Sequence, residues 1–233
     1  ITGDLTDNAE KNDFKLLRHI FKDFGILDRN KLSIVIGNHD IFGGIETAED
    51  IINFPKKCIK TNYKQKMREF YSAFIECFED CLFPVDSEHY PYAKDLGKVV
   101  LIGLNSIAKY SRLRNAFASN GKVSRAQFES LKKIFKEESF RDKRKIVMIH
   151  HHFTKYYQKY EHKNSIWANV EKFTLKLRGK KKIINLLAEN KVDLVLHGHL
   201  HESLEYFKDG LRFMNAGGSI DNNGESYLKM NTI

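Results

Sequence analysis

Cysteine, proline and tryptophan are the scarce residues of this 233-residue chain, at three, three and one, and each shortage removes an option. Cys58, Cys77 and Cys81 are odd in number and hold no C-x-x-C pair. That argues against a disulfide framework and against a structural zinc site, and it favours a reducing, cytoplasmic setting. Cys77 and Cys81 fall on one face of an expected helix and read as small core residues. Also missing is any run of about 18 uncharged apolar residues, which excludes a membrane-spanning helix from the sequence shown. Repeats and low-complexity segments are absent too. There is no initiator Met: the chain opens on Ile1-Thr2-Gly3-Asp4, as though at the end of a strand. A strand upstream is therefore expected, and an N-terminal signal stays open.

What is present suits one large domain over residues 1–233, carrying a helical and loop insertion around 41–95. With 42% hydrophobic residues the chain can bury a sizeable core. A formal net charge of +9 suits an anionic partner: a phosphorylated metabolite, a nucleic acid or an acidic membrane surface. A solvated basic face would give the same number, so charge alone does not choose.

Hydrophobic periodicity orders the elements. Phe14, Leu17, Phe21 and Phe24 have the spacing of an amphipathic helix ending near Gly25, with Asp7 or Asn8 as N-cap. Leu32 to Ile36 reads as a strand closed by Gly37-Asn38-His39-Asp40. Residues 41 to about 60, with Gly43-Gly44 and Pro55, read as irregular, and a long helix follows on the stripe from Tyr63 to Leu82. Lys98 to Ser106 and Arg144 to Ile149 are further strands, separated by a helix opened by the capping-box pattern Ser124-Arg125-Ala126-Gln127. Residues 153–182 form a basic, aromatic stretch expected to overhang the sheet edge as a loop and short helix. A helix through Ile183 and Leu187 leads into the strand Val192 to Leu196, and Asp209-Gly210 joins a closing hairpin. Strand, helix, strand in succession is the pattern of an α/β sheet.

The chemistry is concentrated at strand ends. Six of the ten histidines lie at 150–152 and 197–201, each group directly after an apolar strand. Asp4, Asn38, His39 and Asp40 occupy comparable positions. Open α/β sheets bind ligands at that edge, and imidazole combined with carboxylate suits Zn, Fe or Mn.

Gly3-Asp4 with Asp7, then Gly37-Asn38-His39-Asp40, then His150, then Gly198-His199-Leu200-His201 resemble motifs two to five of the calcineurin-like metallophosphoesterase superfamily. Within it, the chain is similar to bacterial cyclic-nucleotide phosphodiesterase-like members. The family's first motif, Asp-x-His, has no counterpart here and would fall upstream of Ile1. The resemblance implies a four-layer αββα sandwich of two mixed sheets flanked by helices. It also implies two divalent metal ions (Mn, Fe or Zn), with Asp4 bridging them, Asn38, His150 and His199 completing one, and His201 serving the other. Hydrolysis of a phosphodiester or phosphomonoester would then use a bridging hydroxide, with His39 assisting the leaving group and Asp40 orienting the His39 ring. His151 is open between cleft and core, His152 reads as structural, and His197 is set aside as buried behind the site.

The implied partner is a phosphorylated small-molecule substrate; nucleic acid is not favoured. The 153–182 stretch keeps a second reading open, a pyrophosphate hydrolase acting on a lipid-linked or nucleotide diphosphate at a membrane surface. A third is a metal-poor scaffold that keeps the fold.

Overall fold

A computed structural model describes residues 1–45, 47–84, 89–154, 176–200 and 203–217. In chain order the helices are α1 (Lys11–Asp23), α2 (His39–Phe42), α3 (Ala48–Lys60), α4 (Tyr63–Ala73), α5 (Arg125–Phe135) and α6 (Lys180–Glu189). The strands are β1 (Tyr92–Asp95), β2 (Val99–Leu104), β3 (Gly121–Lys122), β4 (Arg144–Ile149), β5 (Leu177–Arg178), β6 (Leu194–His197), β7 (Leu204–Lys208) and β8 (Leu211–Asn215).

Six strands form one mixed sheet in the order β1-β2-β4-β6-β8-β7. Its centre is parallel, β2 to β4 to β6 to β8, and the two edges are antiparallel. Apolar residues alternate across it as the pleat requires. Leu101, Met148 and Leu196 face a core shared with Phe14, Phe70 and Phe74 of α1, α4 and the residue that ends α4. Val100, Ile102, Val147, Ile149 and Val195 face another core, built with Leu131 of α5 and Ile183, Ile184 and Leu187 of α6. Both faces of the sheet are thus covered by helices, as a mainly parallel sheet needs. This is the expected α/β class; β3 and β5 pair in parallel as a separate two-stranded sheet.

The segment 32–36 departs from expectation. Ile34, Val35 and Ile36 are buried but build no ladder, because the described backbone beside them offers one parallel-type pair of bonds: Ile1 N donates to Ser33 O at 2.6 Å and Val35 N to Ile1 O at 3.0 Å. Side chains from β1 and its approach supply further partners. Tyr90 Oη accepts from Ile36 N at 3.1 Å, Tyr92 Oη donates to Ile34 O at 2.8 Å, and Lys94 Nζ donates to Leu32 O at 2.9 Å. Residues 90, 92 and 94 alternate with strand period and descend past 36, 34 and 32, so side-chain polar groups take the place of a neighbouring strand.

Other boundaries need correction. Residues 48–60 are helical, not irregular: Thr47 and Asp50 form a reciprocal capping box that starts α3, and Pro55 lies inside it at the cost of one backbone bond. The stripe from Tyr63 to Leu82 is α4 followed by a 3₁₀ turn over Ile75–Phe78, with Phe74 leaving helical dihedrals. Glu10, not Asp7 or Asn8, precedes α1, and it makes no side-chain cap. Ser124 caps α5 by accepting from Gln127 N, but the Gln127 side chain bonds to the Asn105 backbone, so the expected reciprocal box is half formed. Most of the 153–182 stretch lies outside the described residues; Arg178 and Lys180 to Lys182 end β5 and open α6.

Candidate metal centre

The carboxyl ends of β4 and β6 deliver His150 and His199, and two tight turns bring Asp4 and Asn38 against them. Asp4 has φ 52° and follows Gly3 at φ 98°, a backbone that glycine adopts without steric cost. Gly3 lies against Gly37: a Cβ on Gly3 would come 2.8 Å from the Gly37 Cα, and one on Gly37 would collide with the Asp4 carboxyl and amide. Two glycines facing each other let the turns after residue 2 and residue 36 touch. Asp4 Oδ1 then accepts from His39 N at 3.0 Å, which pins its carboxylate.

Three donors converge on a fourth, His150 Nε2. Asn38 Oδ1 lies 3.0 Å from it, His199 Nδ1 2.9 Å and Asp4 Oδ2 3.3 Å. The other ring nitrogen, Nδ1, is 2.7 Å from Thr2 O, a carbonyl that can only accept, so Nδ1 carries the proton and Nε2 offers a lone pair unless the ring is fully protonated. Burial is complete for His150 and near-complete for Asn38. His199 Nε2 is buried without a hydrogen-bond partner among the described residues, and candidate ligand atoms of Asp4, His150 and His199 all lie within 4.8 Å of one another.

The protonation tendencies suit a cation site. Burial, then the neighbouring imidazoles of His151 and His150, hold His199 well below the ordinary histidine range, so it is neutral and able to ligate. Burial pushes the Asp4 carboxyl upward, but His150 and its neighbours outweigh this and hold it ionised, well below the usual carboxylate range. Burial pulls His150 down while Asp4 pulls it up more strongly. Acceptors crowded on a buried lone pair require a positive charge among them. An imidazolium proton serves one of them at a time, whereas a divalent cation serves all four. The donor set, two imidazoles with a carboxylate and a neutral amide oxygen, fits Zn, Fe or Mn.

The remaining expected residues divide. His39 opens α2, half-buried, with Nδ1 3.0 Å from Asp7 Oδ1. Its ring partner is therefore Asp7 and not Asp40. The Asp40 carboxyl is fully buried, accepting from Thr6 N at 2.9 Å and Gly37 N at 2.8 Å, and burial followed by the Asp4 charge raises it to about 7. It braces the turns that carry Asp4 and Asn38. Asp7 stood beside Gly3-Asp4 in the sequence motif without an assigned role; its spacing gave no hint that it reaches His39. His151 is tied at both nitrogens, to Ser106 Oγ at 2.7 Å and Ser119 O at 3.0 Å, and belongs to the scaffold. His197 is buried behind the site with Nε2 2.8 Å from Tyr206 Oη. His201 lies outside the described residues.

Asp4, His150 and His199, with the Asn38 oxygen beside them, form a group that could hold a metal ion where parallel strands of a mixed α/β sheet end. The chain belongs to the calcineurin-like phosphoesterase family, whose profile matches residues 1–203, and it is accordingly a phosphoric ester hydrolase by class. No curated protein matches it significantly. Among solved structures it is similar to TT1561 of Thermus thermophilus, at 12% identity and a TM-score of 0.41 over 92% of this chain and 74% of that one. It is also similar to the phosphopantetheinyl hydrolase PptH of Mycobacterium tuberculosis, at 13% and 0.44 over 93% and 77%. A putative 5'-nucleotidase from Staphylococcus aureus matches at 14% and 0.38, over 97% of this chain and 50% of that one.

Proposed function

We propose that this chain hydrolyses a phosphoester, a phosphodiester foremost, at a divalent metal centre held by Asp4, Asn38, His150 and His199, with His39 serving the leaving group. The observation that carries the reading is the convergence of Asp4 Oδ2, Asn38 Oδ1 and His199 Nδ1 on His150 Nε2, with the opposite face of that ring committed to Thr2 O. Cations bound there supply activation of water at neutral pH and neutralise charge on the phosphoryl oxygens. A second cation, implied by the family resemblance, would draw on Asp4 and His201.

The chain's own residues do the rest. Asn38 contributes an oxygen without charge, which keeps the site less negative for an anionic substrate. His39 is half-buried, and the Asp7 carboxylate against Nδ1 orients the ring. Its Nε2 faces the departing oxygen and hands it a proton. Asp40 acts through the backbone, holding the Thr6 and Gly37 amides so that the two turns stay in contact.

The test is nitrophenolate release from bis-p-nitrophenyl phosphate by the manganese-loaded protein. Release should require the metal, and His39→Ala should lower kcat by about 10²- to 10⁴-fold, the usual contribution of general acid-base help. Absence of metal-dependent release, with His39→Ala indistinguishable from the parent, contradicts the proposal.

A further inference from the structure

Next to the metal centre lies a second concavity that the mechanism does not use. Its volume is about 780 Å³, the size of pocket that takes a nucleotide-sized molecule. Its floor follows β2. Asn105 comes directly after Leu104, which pairs with Ile149 of β4, so Asn105 stands level with His150 at the same sheet edge. Ser106 and His151 are joined by the 2.7 Å bond already described. On the other side Tyr63 of α4 packs on Phe42 of the helix that begins at His39, ring centroids 6.2 Å apart.

Seven cations line the walls among apolar and neutral polar residues. Helix α4 contributes Lys64 and Arg68, and the loop after β2 contributes Lys109 and Arg114. The β3–α5 junction adds Lys122 and Arg125, and β5 adds Arg178. No described aspartate or glutamate lines the cleft, although the chain carries 30 of them. None of these seven cations enters an ion pair among the described residues. The polar floor, by contrast, is satisfied internally. Asn105 and Gln127 exchange backbone and side-chain bonds, Tyr63 Oη donates to Ile107 O at 2.8 Å, and Asn105 Nδ2 donates to Tyr63 Oη at 3.0 Å. The first turns of α4 and α5 also border the cleft. An anion of several charges can meet several of these cations at once.

We propose that this cleft binds clustered phosphate groups of a nucleotide-sized substrate, so that the ester presented to the metal centre belongs to a molecule bearing at least two phosphates. The inference rests on the phosphoesterase reading for the word substrate. The volume of about 780 Å³ favours a small molecule over a nucleic-acid strand, which needs a longer groove.

The test separates binding from catalysis. Fluorescence anisotropy of mant-ADP and of mant-adenosine is measured on the whole chain in EDTA, where the metal centre contributes nothing. Mant-ADP should bind at least about tenfold tighter than mant-adenosine, inorganic tripolyphosphate should displace it, and added salt should weaken it. Lys109→Gln/Arg125→Gln should weaken mant-ADP by about tenfold or more, and so should Lys64→Gln/Arg68→Gln on exposed helix positions. Equal affinity for the two probes, or parental affinity in both double variants, overturns the inference. So does tight binding of a single-stranded oligonucleotide that mant-ADP cannot displace. Failure here with intact hydrolysis of bis-p-nitrophenyl phosphate removes the cleft and keeps the hydrolase; binding here without any hydrolysis does the reverse.

Discussion

At the scale of single residues the site depends on what is small as much as on what ligates. Gly37 permits Asp4 to lie against the turn before Asn38; a methyl group there must displace the Asp4 carboxylate, the proposed metal ligand. Gly37→Ala is expected to lower kcat/KM by about a hundredfold, the cost of misplacing a reacting group by roughly an ångström, with a matching loss of bound manganese measured by mass spectrometry. Parental metal content in Gly37→Ala would contradict this. Asp7→Asn should lower kcat on bis-p-nitrophenyl phosphate by about tenfold or more, less than His39→Ala, and leave metal content unchanged, because it acts on the ring and not on the cation. Asp4, Asn38, His150 and His199, which the structure brings together, were legible as candidates in the sequence because metal chemistry restricts residue type and because strand ends are easy to locate. The support around them was not. Nothing in the spacing of Asp7, Thr6 or Thr2 states which side chain or carbonyl each will meet, since those contacts exist only once the two turns are folded against each other.

At the scale of elements, the buried segment 32–36 shows where local pattern and tertiary structure part. Its apolar run is a strand by composition, yet its polar backbone is met largely by the Tyr90, Tyr92 and Lys94 side chains. Tyr92→Phe removes the donor to the buried Ile34 carbonyl and should destabilise by about 1–3 kcal/mol, the cost of leaving such a group unsatisfied. Urea unfolding of the variant checks it, and an unchanged midpoint would show the contact to be idle. Strands β2 and β4, helix α5 and the closing hairpin were readable because each is long or apolar enough to carry its own period, or is marked by Ser124 or Asp209-Gly210. The hairpin turn takes positive φ at both Asp209 and Gly210, as that dipeptide demands. By contrast β1 is four residues long, follows Pro91 and holds a lysine whose burial is offset by the distant Arg29 and Leu32 carbonyls and the Ser33 hydroxyl. Helix α3 was obscured by Pro55, although the Thr47 and Asp50 cap announces it.

At the scale of the whole molecule, a mixed sheet covered on both faces leaves its carboxyl edge as the place where polar groups from distant stretches meet. That edge holds the candidate metal centre beyond β4 and β6 and the basic cleft beyond β2. Behind it, burial first and then His152 pull His197 down to about 3. An unfolded histidine titrates near about 6.5. Between these values the unfolded chain takes up a proton that the folded one refuses, so stability is full above about pH 6.5 and falls as the pH drops toward 3. The slope is at most about 1.4 kcal/mol per pH unit. In EDTA-treated protein, His197→Gln should therefore flatten the fall in urea midpoint between pH 7 and pH 5, and parallel curves for parent and variant would argue against it. Charge at this scale, +9 overall, gains a location that composition could not provide, since composition is blind to which lysines and arginines share a wall.

The most direct measurement for the account as a whole is an anomalous difference map from crystals soaked in manganese. The account predicts a peak bound by Asp4, Asn38, His150 and His199, at ligand distances of about 2.0–2.3 Å, with the His150 Nδ1 still bonded to Thr2 O. Crystals that take up manganese elsewhere, or that leave these four side chains without a peak, would contradict it.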